Sequence, residues 1–264
     1  MADGNRTEGE KLFEQYLASQ NLPFKFEAEH SGKKKRPDYS LEWKGHPILA
    51  DVKDFAPLEQ IPTGFMTFDP YTAIREKIEQ GRDKFREFKD VSCALVLCNF
   101  GNPFAQLEEP HIMLGAMYGD SGFTFPVNIS TGVGDDSKLR SAFLGRGKMI
   151  RPHWSKPQNT TIAGLITLTT LKPHYEKFKE SLRSADDRDV ESCLQELDST
   201  IPNFDLEFSV PRVIVWHNGF ARMPLPTELF CGAYDTQFGV VKDEEGTFQR
   251  ATFRGSQLPD TLRV

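Results

Sequence analysis

The feature that most limits the fold is a pair of apolar runs of strand length. Residues 91–100, VSCALVLCNF, and the segment TTIAGLITLTTL beginning at Thr160 carry no charged side chain and show no polar/apolar alternation. A strand with one wetted face alternates with period two, whereas a strand without alternation is buried on both faces, like the central strands of an α/β sheet. Helices must then cover both sides of the sheet that holds them. The first run follows directly on an amphipathic helix predicted over 71–89, with Ile74, Ile78, Gly81, Phe85 and Phe88 on one side and Arg75, Arg82, Arg86 and Lys89 away from it. A helix leading straight into a doubly buried strand marks an α/β crossover.

Upstream, TEGEKLFEQYLASQNL places Leu12, Phe13, Tyr16 and Leu17 on one helical face, and Thr7 with Glu10 has the spacing of a capping box. After Pro23 the period changes to two: Phe24, Phe26 and Ala28 alternate with charged residues, which predicts a strand. The basic turn SGKKKRP follows, and then YSLEW and HPILADVK, two strands joined at Lys44-Gly45, complete an antiparallel meander. The order is αβββαβ over residues 8–100. A looser stretch, 55–70, with three prolines, separates the meander from its helix. The chain is read as a single domain, with 101–264 as a large C-terminal extension. That extension holds an apolar segment HIMLGAMYG, a strand-like FTFPVNI, a basic loop at 137–158, the strand TTIAGLITLTTL, a charged helix over 172–198 with a break near 185–189, a strand FSVPRVIVWHN and a turn-rich tail with short strand-like pieces.

Composition closes several alternatives. The longest apolar run is too short to cross a bilayer and the polar start MADGNRTEGEK is unlike a signal peptide, so a cytoplasmic, non-membrane protein is expected. The four cysteines and six histidines show no zinc-site spacing, and the thiols are expected to be free and buried. A net charge of −6 argues against indiscriminate nucleic-acid coating. It does not exclude a local basic groove, and 137–158 carries six Lys/Arg and no acid. In that run Arg140, Arg146, Lys148 and Arg151 beside Phe143 and Trp154 have the mix of cations and aromatics that touches phosphates and stacks on bases.

The chemistry is concentrated in RPDYSLEWKGHPILADVKDF, residues 36–55. Alternation puts Asp51 and Lys53 on one face of their strand, and the hairpin return brings Asp38 back to them. Two carboxylates and one ammonium then meet at one end of a sheet. Mg²⁺ takes hard oxygen ligands and is typically held by one or two carboxylates, waters and a substrate phosphate. Bound there, such an ion polarises a phosphodiester while a neighbouring lysine orients the attacking water. The Val52 carbonyl is a further available ligand, and Glu10 or Glu14 on the preceding helix could complete the shell. Each residue also has a plainer role: Pro-Asp is ordinary turn chemistry, Lys53 can pair with Asp51 or Asp54, and Glu10 can serve its cap alone. Lys33, Lys34, Lys35 and Arg36 lie immediately before Asp38 in sequence, so cations flank the carboxylates and favour a polyanionic substrate.

A helix with Gly9-Glu10, then Pro37-Asp38, then Asp51-Val52-Lys53, then helix and strand, resembles the PD-(D/E)XK nuclease superfamily. The resemblance covers residues 8–100 and implies a restriction-endonuclease-like α/β fold, a mixed central sheet flanked by helices. It implies a metal-dependent nuclease, most simply a DNA endonuclease, with Asp38 and Asp51 holding Mg²⁺ (or Mn²⁺ in its place), Lys53 positioning the water and Glu10 as the helix-borne ligand, Glu14 the fallback. The nucleic acid would lie against Lys33, Lys34, Lys35, Arg36, Arg146, Lys148 and Arg151, and a homodimer is compatible with the family. The chain departs from the branch with QxxxY on the second helix, since Gln80 is followed four residues on by Lys84. Lys77 and Lys84 are each read as solvated surface lysines within reach of phosphates. A catalytically inactive, nucleic-acid- or protein-binding member of the same fold is the alternative.

Overall fold

The computed structural model describes residues 6–58, 68–135, 137, 140–151, 156–184, 190–242 and 248–255. The first six elements are α1 (Glu8–Ser19), β1 (Phe24–Phe26), β2 (Tyr39–Trp43), β3 (His46–Phe55), α2 (Thr72–Phe85) and β4 (Ser92–Asn99), in the order αβββαβ. There follow α3 (Pro110–Tyr118), β5 (Gly119–Thr124), β6 (Arg140–Arg146), β7 (Ile162–Leu171), α4 (Pro173–Ser184), α5 (Val190–Thr200), β8 (Val210–His217), β9 (Thr236–Lys242) and β10 (Phe248–Gly255). The chain forms two compact units. Met1–Leu168 with Val213–Val264 is the larger; Thr169–Arg212 is a smaller one built on the helical pair α4 and α5.

The larger unit is a mixed α/β structure. Its eight-stranded sheet has the order β1-β2-β3-β4-β7-β8-β9-β10, and β5 and β6 form a separate two-stranded sheet. β1, β2 and β3 run antiparallel, and β3, β4 and β7 run parallel. The meander turns at Lys44 and Gly45, with φ of 50° and 81°, the two consecutive left-handed residues of a tight hairpin whose twist suits its strands. β4 is central and buried from Ser92 to Cys98, as its lack of alternation requires. Its side chains divide between two cores. Cys93, Leu95 and Leu97 pack with Ile74, Ile78 and Phe85 of α2 and with α3, whereas Ala94, Val96 and Cys98 pack with Phe13, Tyr16 and Leu17 of α1.

β3 follows the same logic: Leu49 and Phe55 face α2, and Ile48, Ala50 and Val52 face α1. The helix α1 begins at the expected capping box, with Thr7 Oγ1 accepting from the Glu10 N–H and the Glu10 carboxylate accepting from the Thr7 N–H. Gly9 is required beside it, because a Cβ there would stand 2.0 Å from Asp54 Oδ1. α2 also comes close to the sheet, since a Cβ on Gly81 would meet Leu95 at 3.0 Å.

Several sequence expectations are revised. The basic stretch 137–158 is not simply a loop: Arg140–Arg146 is strand β6, held against β5. The polypeptide then anchors on α3, with the Lys148 and Met149 N–H groups donating to the Ala116 and Met117 carbonyls. Other expectations hold: the stretch 172–198 is two helices on either side of the expected break, and the tail after 222 supplies strands β9 and β10, which extend the main sheet. The break near 185–189, Lys138, Trp154 and most of the proline-bearing stretch lie outside the described residues. All four cysteines are free, three of them buried and Cys231 half-buried. Among the described residues no helix is long and apolar enough to cross a membrane.

Candidate functional site

The site arises from a mismatch in strand length. β3 has ten residues and β2 five, and their last rung is Tyr39 with Ala50. Beyond it, residues 51–55 of β3 pair only with β4, which leaves one edge of β3 without a strand partner. Asp38, the next residue in register after Tyr39, falls opposite Asp51. Its Oδ2 accepts the Val52 N–H at 2.8 Å, so a side chain replaces the missing rung. In an extended strand the N–H and C=O of one residue point to the same edge, which aims the Val52 carbonyl toward the Asp38 side as well.

Asp51 is fully buried, and both its oxygens are met by ammonium groups: Lys53 Nζ at 2.6 Å from Oδ2 and Lys84 Nζ at 2.8 Å from Oδ1. Neither contact has the directionality of a hydrogen bond, so the carboxylate is compensated by charge rather than by aligned donors. Lys84 Nζ also lies 3.1 Å from Asp38 Oδ1. One lysine thus bridges the two carboxylates. Asp38, Asp51 and Lys53 come together as the sequence spacing requires; Lys84 joins them against expectation, because it is not a solvated surface residue. Gly81 accounts for this. It lets α2 settle against Leu95, the residue paired with Asp51 across the β3–β4 ladder, and one turn further along the helix a lysine side chain spans to the carboxylates.

The electrostatics follow from this crowding. Burial first, and the Asp51 charge second, raise the Asp38 pKa from 3.8 to about 6, against the opposing pull of the Val52 N–H and Lys84. For Lys84 burial works to lower the pKa, but the contacts with Asp51 and Asp38 outweigh it and hold the ammonium above its ordinary value.

The helix-borne ligand is where the expectation needs correction. The Glu10 carboxylate accepts the Thr7 N–H at 2.8 Å, and α1 packs on the face of β3 opposite the one that carries Asp51 and Lys53. Glu14 is likewise engaged, with Tyr39 Oη donating to it at 3.0 Å and Arg6 pairing with it at 2.8 Å. Among the described residues no group of three or more acids, histidines or cysteines gathers as a metal cluster. Two carboxylates and one backbone carbonyl still fit Mg²⁺, which keeps several waters and needs few protein ligands, and the two contacts of the Lys84 ammonium mark where a cation sits between them.

The basic residues divide into two kinds. Lys33 donates to the Glu87 carbonyl at 2.7 Å and the Lys34 N–H to the Glu87 carboxylate at 3.0 Å. The turn is thereby fastened to a residue three positions beyond Lys84. Arg36 pairs with Glu29 at 2.7 Å, and Lys34 and Lys35 are exposed with no acid within ion-pair distance among the described residues. In the second stretch Arg146 and Arg151 are exposed, but Lys148 is paired with Glu79 of α2. The side chains of Arg140 and Phe143 lie outside the described residues.

No protein-family model matches the chain, and no curated protein or solved structure matches it.

Proposed function

We propose that the protein is a Mg²⁺-dependent phosphodiesterase, a DNA endonuclease of the PD-(D/E)XK kind acting in the cytoplasm, with its restriction-endonuclease-like core at 8–100. The reading is carried by one observation: Asp38, Asp51 and Lys53 converge where β2 stops and β3 continues paired with β4 alone. Asp38, Asp51 and the Val52 carbonyl would hold the ion, Mg²⁺ or Mn²⁺. Its contribution, when bound, is to polarise the scissile phosphate and stabilise the leaving oxygen. Lys53, half-buried on the same face as Asp51, orients the attacking water. The basic turn 33–36, fastened to Glu87 and next to Asp38 in sequence, supplies phosphate contacts.

A second reading has an observation of its own. With Lys53 and Lys84 both in place the two carboxylates are neutralised without any metal, as a non-catalytic, nucleic-acid-binding member of the fold would have them. Supercoiled plasmid incubated with the protein and Mg²⁺ separates the two. The catalytic reading predicts nicking that Asp38→Ala and Lys53→Ala abolish while circular dichroism shows both variants folded. Undiminished nicking by those variants would overturn the site. Salt-sensitive DNA binding with no cleavage in Mg²⁺ or Mn²⁺ would establish the second reading.

A further inference from the structure

Each carboxylate of the pair has one oxygen already engaged: Asp38 Oδ2 with the Val52 N–H, and Asp51 Oδ2 with Lys53. The two remaining oxygens, Oδ1 of each, are those a shared cation would take. Both are in contact with Lys84 Nζ, at 3.1 and 2.8 Å. A divalent ion and this ammonium cannot hold the same two oxygens. Nor would they tolerate each other nearby, because the four side chains already sum to zero charge and Asp51 is cut off from screening solvent. Lys84, by contrast, is free to leave. It stands in the last turn of α2, its side chain is 26% exposed, and rotation about its own bonds suffices to carry the ammonium to water.

We propose that Lys84 is an exchangeable counterion, holding the position between Asp38 and Asp51 in the metal-free protein and expelled when a divalent cation binds there. The inference rests on the metal-dependent reading of the same site. It makes metal loading a competition within the chain, so that the carboxylates are never left uncompensated and weakly bound ions are rejected.

The test uses the wild-type protein. Free Mn²⁺ is followed by its electron paramagnetic resonance signal while an amine-directed acetylating reagent labels lysines, read peptide by peptide by mass spectrometry. Labelling of Lys84 should rise several-fold as Mn²⁺ binds, with Lys11 on α1 as the unchanged reference. Mn²⁺ binding with Lys84 labelling unchanged would overturn the exchange. Lys84→Met removes the competing charge and should bind Mn²⁺ about tenfold more tightly. No tightening in a variant shown folded by near-ultraviolet circular dichroism overturns the exchange too. Should the wild-type protein leave all Mn²⁺ free, the metal-dependent reading itself falls, and the exchange with it.

Discussion

Asp38 and Asp51 are a like-charged pair opposite each other at the end of a strand ladder, an arrangement that costs stability unless cations compensate it. Lys53 and Lys84 balance the charges, but burial first and the Asp51 charge second still raise the Asp38 pKa from 3.8 to about 6. The sign of the consequence is fixed by linkage. Between those two values the native state binds more protons than the unfolded chain, so stability from protonated Asp38 is complete below about 3.8 and is lost as the pH rises through about 6. Asp38→Asn keeps an acceptor for the Val52 N–H and cannot ionise. Thermal melts in chelator-treated buffer from pH 4 to 7 should therefore show the wild-type protein losing stability relative to this variant as pH increases. A difference that stays flat across the range would mean that Asp38 ionises at its ordinary value.

At the scale of elements, the αβββαβ order could be read because α1 and α2 keep a period of 3.6, β1 alternates with period two, Lys44-Gly45 marks the hairpin of β2 and β3, and β4 has no alternation. Asp38, Asp51 and Lys53 could be placed because a two-residue hairpin turn fixes their register. Lys84 could not, because its position depends on how closely α2 approaches the sheet; the one available signal was Gly81, a residue with no side chain on an apolar helix face, one turn before a lysine. The tail could be read only as turns and short strand-like pieces, because nothing local shows that β9 joins β8 and so extends the main sheet. Glu10 shows a further ambiguity. Its spacing satisfied both a capping box and a family ligand position, and the structure uses it as a cap. Glu10→Ala should accordingly lower stability by about 1 kcal/mol and leave the Mn²⁺ affinity unchanged. A tenfold loss of that affinity would return Glu10 to the metal's ligands.

For the whole molecule, the charge of −6 conceals a local arrangement. The basic turn is fastened to Glu87 just past α2, with Lys34 and Lys35 exposed, whereas Lys148 in the longer basic stretch already has an acid of its own in Glu79. Position along the chain therefore counts for less than whether a cation is spoken for. Each lysine that neutralises a phosphate releases counterions and steepens the salt dependence of binding by about 0.9 in log–log slope. Lys34 and Lys35, exposed and without an ion-pair partner among the described residues, should act in this way; Lys148 should not, because a phosphate would have to displace Glu79 first. DNA affinities measured between 50 and 200 mM salt, with Ca²⁺ in place of Mg²⁺ to prevent cleavage, should give a slope about 2 units shallower for the Lys34→Ala/Lys35→Ala double variant. Lys148→Ala should match the wild-type slope. If the two variants reversed these roles, the substrate would run along β6 and the segment after it, and the turn before Asp38 would be only a strap on α2.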